Sequence, residues 1–158
     1  DRYNWNLVGK KEVYIPYNSF KLDSADLKYD QIIKPGHINQ EHARYELHRV
    51  WVVEATLKEG QRHVYAKRTF FIDEDTWQAT VIDHYDGRGE LWRVAEAHNM
   101  NFYGEGVPWY TVETLYDLLS GRYLVNGLNN EQEKSYVFNL ERSSQDYTPA
   151  ALRRAGKR

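Results

Sequence analysis

Residues 70–94 read FFIDEDTWQATVIDHYDGRGELWRV, three strand-like runs separated by two compact turns, Asp73-Glu74-Asp75 and Asp86-Gly87-Arg88-Gly89. Gly takes φ > 0 without steric penalty and Asp bonds its own backbone nearby, so both suit such turns. From Thr76 to Tyr85 the residues alternate with period two. Trp77, Ala79, Val81 and Tyr85 fall on one face, and Thr76, Gln78, Thr80 and His84 mostly on the other. That pattern predicts an antiparallel meander with one dry and one wetter face.

The flanking sequence continues the pattern. Asn4 to Tyr17 reads as two strand pieces divided at Gly9-Lys10 and ended by Pro16. His42 to Lys58 is the longest strand candidate, with Ala43, Tyr45, Leu47, Trp51, Val53, Ala55 and Leu57 on one face, interrupted by Arg49. A run that long spans roughly 50 Å and demands a bent sheet or a bulge. Further strands are predicted at Val64 to Ile72, Leu91 to Tyr103, Tyr110 to Leu119, Arg122 to Leu128 and Ser135 to Glu141, with Tyr103 to Tyr110 (YGEGVPWY) as a loop. Helix signals are few. Asp23 to Ile33 carries Asp23 or Ser24 as N-cap, with Leu27, Ile32 and Ile33 apolar and Pro35-Gly36 as the stop. Thr148, Pro149 and Gly156 mark a short C-terminal helix with Arg153 and Arg154 in its last turn.

About eight strands and two short helices leave an imbalance, because a sheet must bury its apolar face against another layer. The expected fold is mainly β, a strongly curved antiparallel sheet or open (half) β-barrel with two short helices. Its sheet closes on itself, packs on something absent from this chain, or holds an apolar ligand.

Composition narrows the function. The 158 residues suit one domain, and 15% are aromatic, including 13 Tyr and 5 Trp. A net charge of -2 and a pI near 6.3 give no electrostatic footprint for nucleic acid. No apolar run approaches the length of a membrane span. With no Cys, disulfides and thiol chemistry are excluded, whereas the compartment stays open.

No P-loop, dinucleotide, nucleophile-elbow or zinc-protease motif occurs. His42 and His48 share one side of a strand with Arg44 and Glu46 between them, which reads as a solvated polar strip. Asp83, His84, Asp86 and Glu90 gather at a hairpin and offer oxygens for a hard cation, but their spacing matches no calcium loop and turn chemistry explains Asp86-Gly87 without an ion. No cofactor, metal site or catalytic residue is expected. The residues proposed to meet an apolar ligand are Tyr45, Leu47, Trp51, Phe70, Ile72, Trp92, Phe102, Trp109 and Tyr116.

The segment IDEDTWQATVIDHYDGRGELWRV resembles a unit of the outer-membrane lipoprotein-sorting proteins of the LolA/LolB-like superfamily. The segments YNWNLVGKKEVYIPYNSFKL, PGHINQEHARYELHRVWVVEATLKEGQRHVYAKRTFFIDEDTW and YTPAALRRAGKR resemble a proteobacterial domain-of-unknown-function family that carries the lipoprotein-sorting label. The resemblance implies a curved, open barrel whose concave side is apolar and partly plugged by helices. It also implies a Gram-negative periplasmic home, with outer-membrane association left open, and binding of a lipid or lipoprotein acyl chain. Residues 1–158 would form one β-rich domain, the C-terminal part of a longer family chain. The rival expectation is an adaptor that docks a membrane protein or forms a homodimer through an exposed sheet edge.

Overall fold

A computed structural model describes residues 1–133 and 136–156. Its centre is one seven-stranded antiparallel sheet in the order β1-β4-β5-β6-β7-β8-β9, formed by β1 (Tyr3–Pro16), β4 (Tyr45–Leu57), β5 (Lys67–Asp73), β6 (Ala79–Tyr85), β7 (Leu91–Phe102), β8 (Val107–Asp117) and β9 (Tyr123–Asn126). The sheet is open, with β1 and β9 as its edges. From β4 onward it is a simple meander. The long connection from β1 to β4 holds α1 (Tyr29–Ile32) and a small hairpin of β2 (Ile33–Lys34) and β3 (His37–Ile38). Helix α2 (Pro149–Ala155) closes the described chain, and Thr148 Oγ1 accepts from the Ala151 amide as its N-cap. The mainly β architecture with two short helices read from the sequence holds. No helix among the described residues is long and apolar enough to cross a membrane.

Register divides the sheet into two unlike faces. Side chains alternate along each strand, so one cross-strand row is Val52, Phe71, Val81, Glu96, Thr114, Val125. This face is covered. Ile15, Val50 and Val52 pack there with Val13, Tyr17, Phe71 and Val81. Further along, Leu22, Ile32 and Ile38 from the β1–β4 connection lie on Val112, Tyr123, Val125 and Leu128. The connection is pinned across the sheet, because the Ser19 amide donates to Asn99 O at 2.7 Å and Asn130 Nδ2 to Leu22 O at 2.8 Å. The chain therefore plugs this face with its own loop.

The opposite face carries the row Leu7, Val53, Phe70, Ile82, Ala95, Leu115, Leu124, one apolar residue from each of seven strands. Among the described residues nothing comparable lies over it. Leu7 and Leu124 are 59% and 62% exposed.

Several expectations change. Asn4 to Tyr17 is one strand, because Gly9 (φ 135°) absorbs a bulge opposite Val52 and Val53 without breaking the pairing. The helix predicted over Asp23 to Ile33 shrinks to one turn. Ser24 Oγ accepts from the Asp26 amide and holds a turn there, while Ile33 pairs with Ile38. The two-residue hairpin at Pro35-Gly36 replaces the expected helix stop.

Trp77 leaves the dry face altogether. It sits exposed in the β5–β6 turn at φ 59° and donates its amide to Asp73 O. Thr80 is the extra residue of a bulge, buried and donating to Phe71 O, so Ala79 and Val81 face opposite sides. Trp109 and Tyr110 belong to β8, because a turn over 103–106 makes the connection a hairpin. Ser135 lies outside the described residues. Residues 136–141 form no strand and are held instead by aromatic contacts of Tyr136 and Phe138 with Phe102.

Candidate functional site

The open face holds a cleft of about 600 Å³ between the 58–66 loop and the β8–β9 edge. Ile82, Ala95, Leu115 and Leu124 form its apolar floor, and Ala79 and Ala97 widen it because a methyl group leaves space where a larger side chain would fill the groove. His63, Val64 and Tyr65 rise from the loop as one wall. The loop turns at Gly60 (φ 75°), a backbone that L side chains rarely adopt.

One end of the cleft is cationic and aromatic. Arg68, His84, Arg93 and Asp117 are successive partners across four strands. Tyr65 stacks on the His84 ring at 4.3 Å, and Arg93 Nη1 donates to Tyr65 Oη at 3.0 Å. Arg93 also donates through Nε to Asp117 Oδ2 at 3.0 Å. The Ser120 backbone amide and this guanidinium hold Asp117 down to about 2.

Arg68 lies 4.8 Å over the Tyr3 ring and 5.2 Å over the Tyr65 ring, and its Nη2 donates to His63 Nε2 at 3.2 Å. Burial, with Arg68, Arg93 and His63 close by, lowers His84 to about 4. Its imidazole is thus neutral near pH 7, when its Nδ1 is buried without a partner. The far end is acidic, where Glu113 accepts from Asn126 Nδ2.

A second cluster lies on the covered side at the β5–β6 turn. His48 Nδ1 is 2.9 Å from Asp73 Oδ1 and 3.8 Å from Asp75 Oδ2, and its Nε2 is 3.5 Å from Glu46 Oε2. Asp73 is fully buried and accepts from the Thr76 amide and hydroxyl through Oδ2. The three donors account for the carboxylate as a turn brace. His48 was visible in the sequence, but its partner was not, because Asp73 lies 25 residues away on the neighbouring strand.

The nine residues proposed from sequence do not converge on the cleft. Trp51, Phe70 and Ile72 share its face, beyond its floor. Tyr45 turns over the covered side and donates to Glu96 Oε1 at 3.1 Å; burial and that carboxylate push its phenol up. Tyr116 stacks on Tyr123 on the same side. Trp92 sits at a bulge edge-on to Tyr65, Phe102 packs on Tyr136 and Phe138, and Leu47 and Trp109 are exposed. Arg68, Tyr65, His84, Ala95 and Leu124 were missed. The period-two run Arg68, Phe70, Ile72 was a usable signal for the face, but not for which strands would join it.

A family model described as "Protein of unknown function (DUF1329)" matches residues 1–153. "Uncharacterized protein PA3922" of Pseudomonas aeruginosa is 68% identical over 158 residues, all of this chain and 35% of that protein. The chain thus spans about a third of the length of this curated relative. Two solved structures are similar. One is a Vibrio parahaemolyticus domain described as a candidate outer membrane lipoprotein-sorting protein, with a TM-score of 0.46 and 12% identity over 96% of this chain and 48% of that one. The other is a DUF1329 family protein from Desulfovibrio piger, with a TM-score of 0.47 and 16% identity over the same shares.

Proposed function

The chain belongs to the DUF1329 family of proteins of unknown function, and from that premise we propose that it is a periplasmic binding protein that holds a lipid or lipoprotein acyl chain on its open face. The observation that carries this reading is the unbroken apolar row from Leu7 to Leu124, uncovered and deepened into a cleft at Ile82, Ala95 and Leu115. Exposed apolar surface arranged contiguously marks a binding site, whereas scattered apolar residues do not. Each CH₂ removed from water contributes roughly 0.8 kcal/mol. A ten-carbon chain thus supplies about 7 kcal/mol, which exceeds the low end of the cost of association. The work assigned to the site is binding and release, and no catalytic group is required of it.

A fluorescent fatty-acid probe tests this. It should bind the purified protein, and Ala95→Trp, which fills the floor, should abolish binding while the protein stays folded. A probe that never binds, or that binds the Ala95→Trp variant equally well, would sink the proposal.

The edge strand β1 favours a second reading, an adaptor for a membrane protein or another copy. Its 14 residues leave one side of the backbone unpaired, next to exposed Trp5 and Leu7. Sedimentation of the ligand-free protein separates the two. A tight dimer lost on Trp5→Lys, without probe binding, favours the adaptor.

A further inference from the structure

We infer that the cleft takes a single-chain amphiphile with an anionic head, a carboxylate or a phosphate ester, with the head at Arg68 and the chain along Ile82, Ala95 and Leu115. This rests on the open face being a ligand site and adds the polarity and direction of the ligand.

Arg68 is a cation without a counter-ion among the described residues. Among the described residues Arg93 is paired with Asp117 and Arg88 with Asp86, but no carboxylate pairs with Arg68. Its guanidinium is fixed between the rings of Tyr3 and Tyr65, and its Nε is buried with no acceptor. A buried donor left unmade is destabilising, more so when it is charged. His84, opposite Arg68 on the next strand, is only 7% exposed and also has an unpartnered ring nitrogen in the cleft wall.

Two polar side chains are thus built into the wall of an apolar groove with part of their hydrogen-bonding capacity unused. A ligand oxyanion supplies the counter-charge that Arg68 lacks and an acceptor for its free N–H, through a small rotation of the guanidinium.

The direction follows from the opposite end. Glu113 stands in the row of Ala97, four residues along β7 from Arg93, or roughly 13 Å at strand spacing. An anionic head is repelled there and attracted at Arg68. Between the two ends the floor is aliphatic.

The experiment measures affinity calorimetrically for four ligands that each carry a ten-carbon chain: decanoate, decyl phosphate, decanol and decyltrimethylammonium. At least one anion should bind about tenfold more tightly than decanol, the scale of one charge-assisted hydrogen bond. Which anion leads tells a fatty acid from a phosphate ester. Arg68→Gln should bring that ratio close to one, while Arg88→Gln, on the β6–β7 turn, should leave it unchanged.

Decanol binding as tightly as both anions overturns the anionic head but leaves the apolar site standing. Failure of all four to bind removes the apolar site as well. A ratio undiminished in Arg68→Gln overturns the role of Arg68. Should that variant not fold, the wild-type His84 ring resonances serve instead. They must move with the tighter anion and not with decanol, and the reverse result overturns the inference.

Discussion

The two faces of this sheet are built from the same strands, yet only one is finished as a core. On the covered face Ile15, Val50, Ile32, Ile38 and Leu22 are fully buried, and the β1–β4 connection is the layer that buries them. On the open face Leu7, Leu124 and Trp5 stand in solvent, and among the described residues the cover is the short loop that carries His63 and Tyr65. The difference teaches where the chain spent its extra residues. A 28-residue excursion was placed on one side, and the other kept a groove with a charged end.

The comparison breaks first where the covered side is braced. Asp73→Ala removes the acceptor of three hydrogen bonds, from His48, the Thr76 amide and the Thr76 hydroxyl. It should cost about 3–4 kcal/mol in urea unfolding. A loss below about 1 kcal/mol would mean the brace is ornamental.

Apolar truncations sharpen the contrast directly. Ile15→Ala should cost about 3 kcal/mol because the site is fully buried. Leu124→Ala should cost less than about 0.5 kcal/mol and weaken probe binding instead. Equal costs would show that the open face is a core after all.

A third probe is pH. The fold holds His84 at about 4, below the usual imidazole near 6.5, so the unfolded chain takes up this proton first. Its contribution is full above pH 6.5 and is lost as the pH falls toward 4, at most about 3 kcal/mol. Stability measured from pH 7 to 4 should therefore fall more steeply in wild type than in His84→Gln. Parallel curves would contradict the assignment.

Legibility in the sequence followed the same division. Turns and caps governed by local chemistry were readable: the Asp86 to Gly89 turn, β7 from Leu91, and the Thr148-capped helix all stand where their residues put them. Features set by pairing were not. The bulges at Gly9 and Thr80 change which residues share a side, and a one-residue slip moves every later side chain to the other face. The apolar parity of β4, through Leu47, Trp51 and Val53, marked one apolar face, but Val50 and Val52 on the other face lie deeper, because the plug lands there. The cleft draws on β5, β6, β7, β8 and β9 at once, so Arg68, His84 and Ala95 became neighbours only through register. Aromatic residues were the conspicuous candidates, whereas the groove depends on alanines that make room.

Methyl NMR during a decanoate titration tests the division of the faces most directly. The resonances of Ile82, Ala95, Leu115 and Leu124 should shift in a saturable way, while those of Ile15, Ile38 and Val50 stay in place. Shifts that are largest at Ile15, Ile38 and Val50, or absent everywhere up to saturating decanoate, would contradict an open face made to receive a ligand.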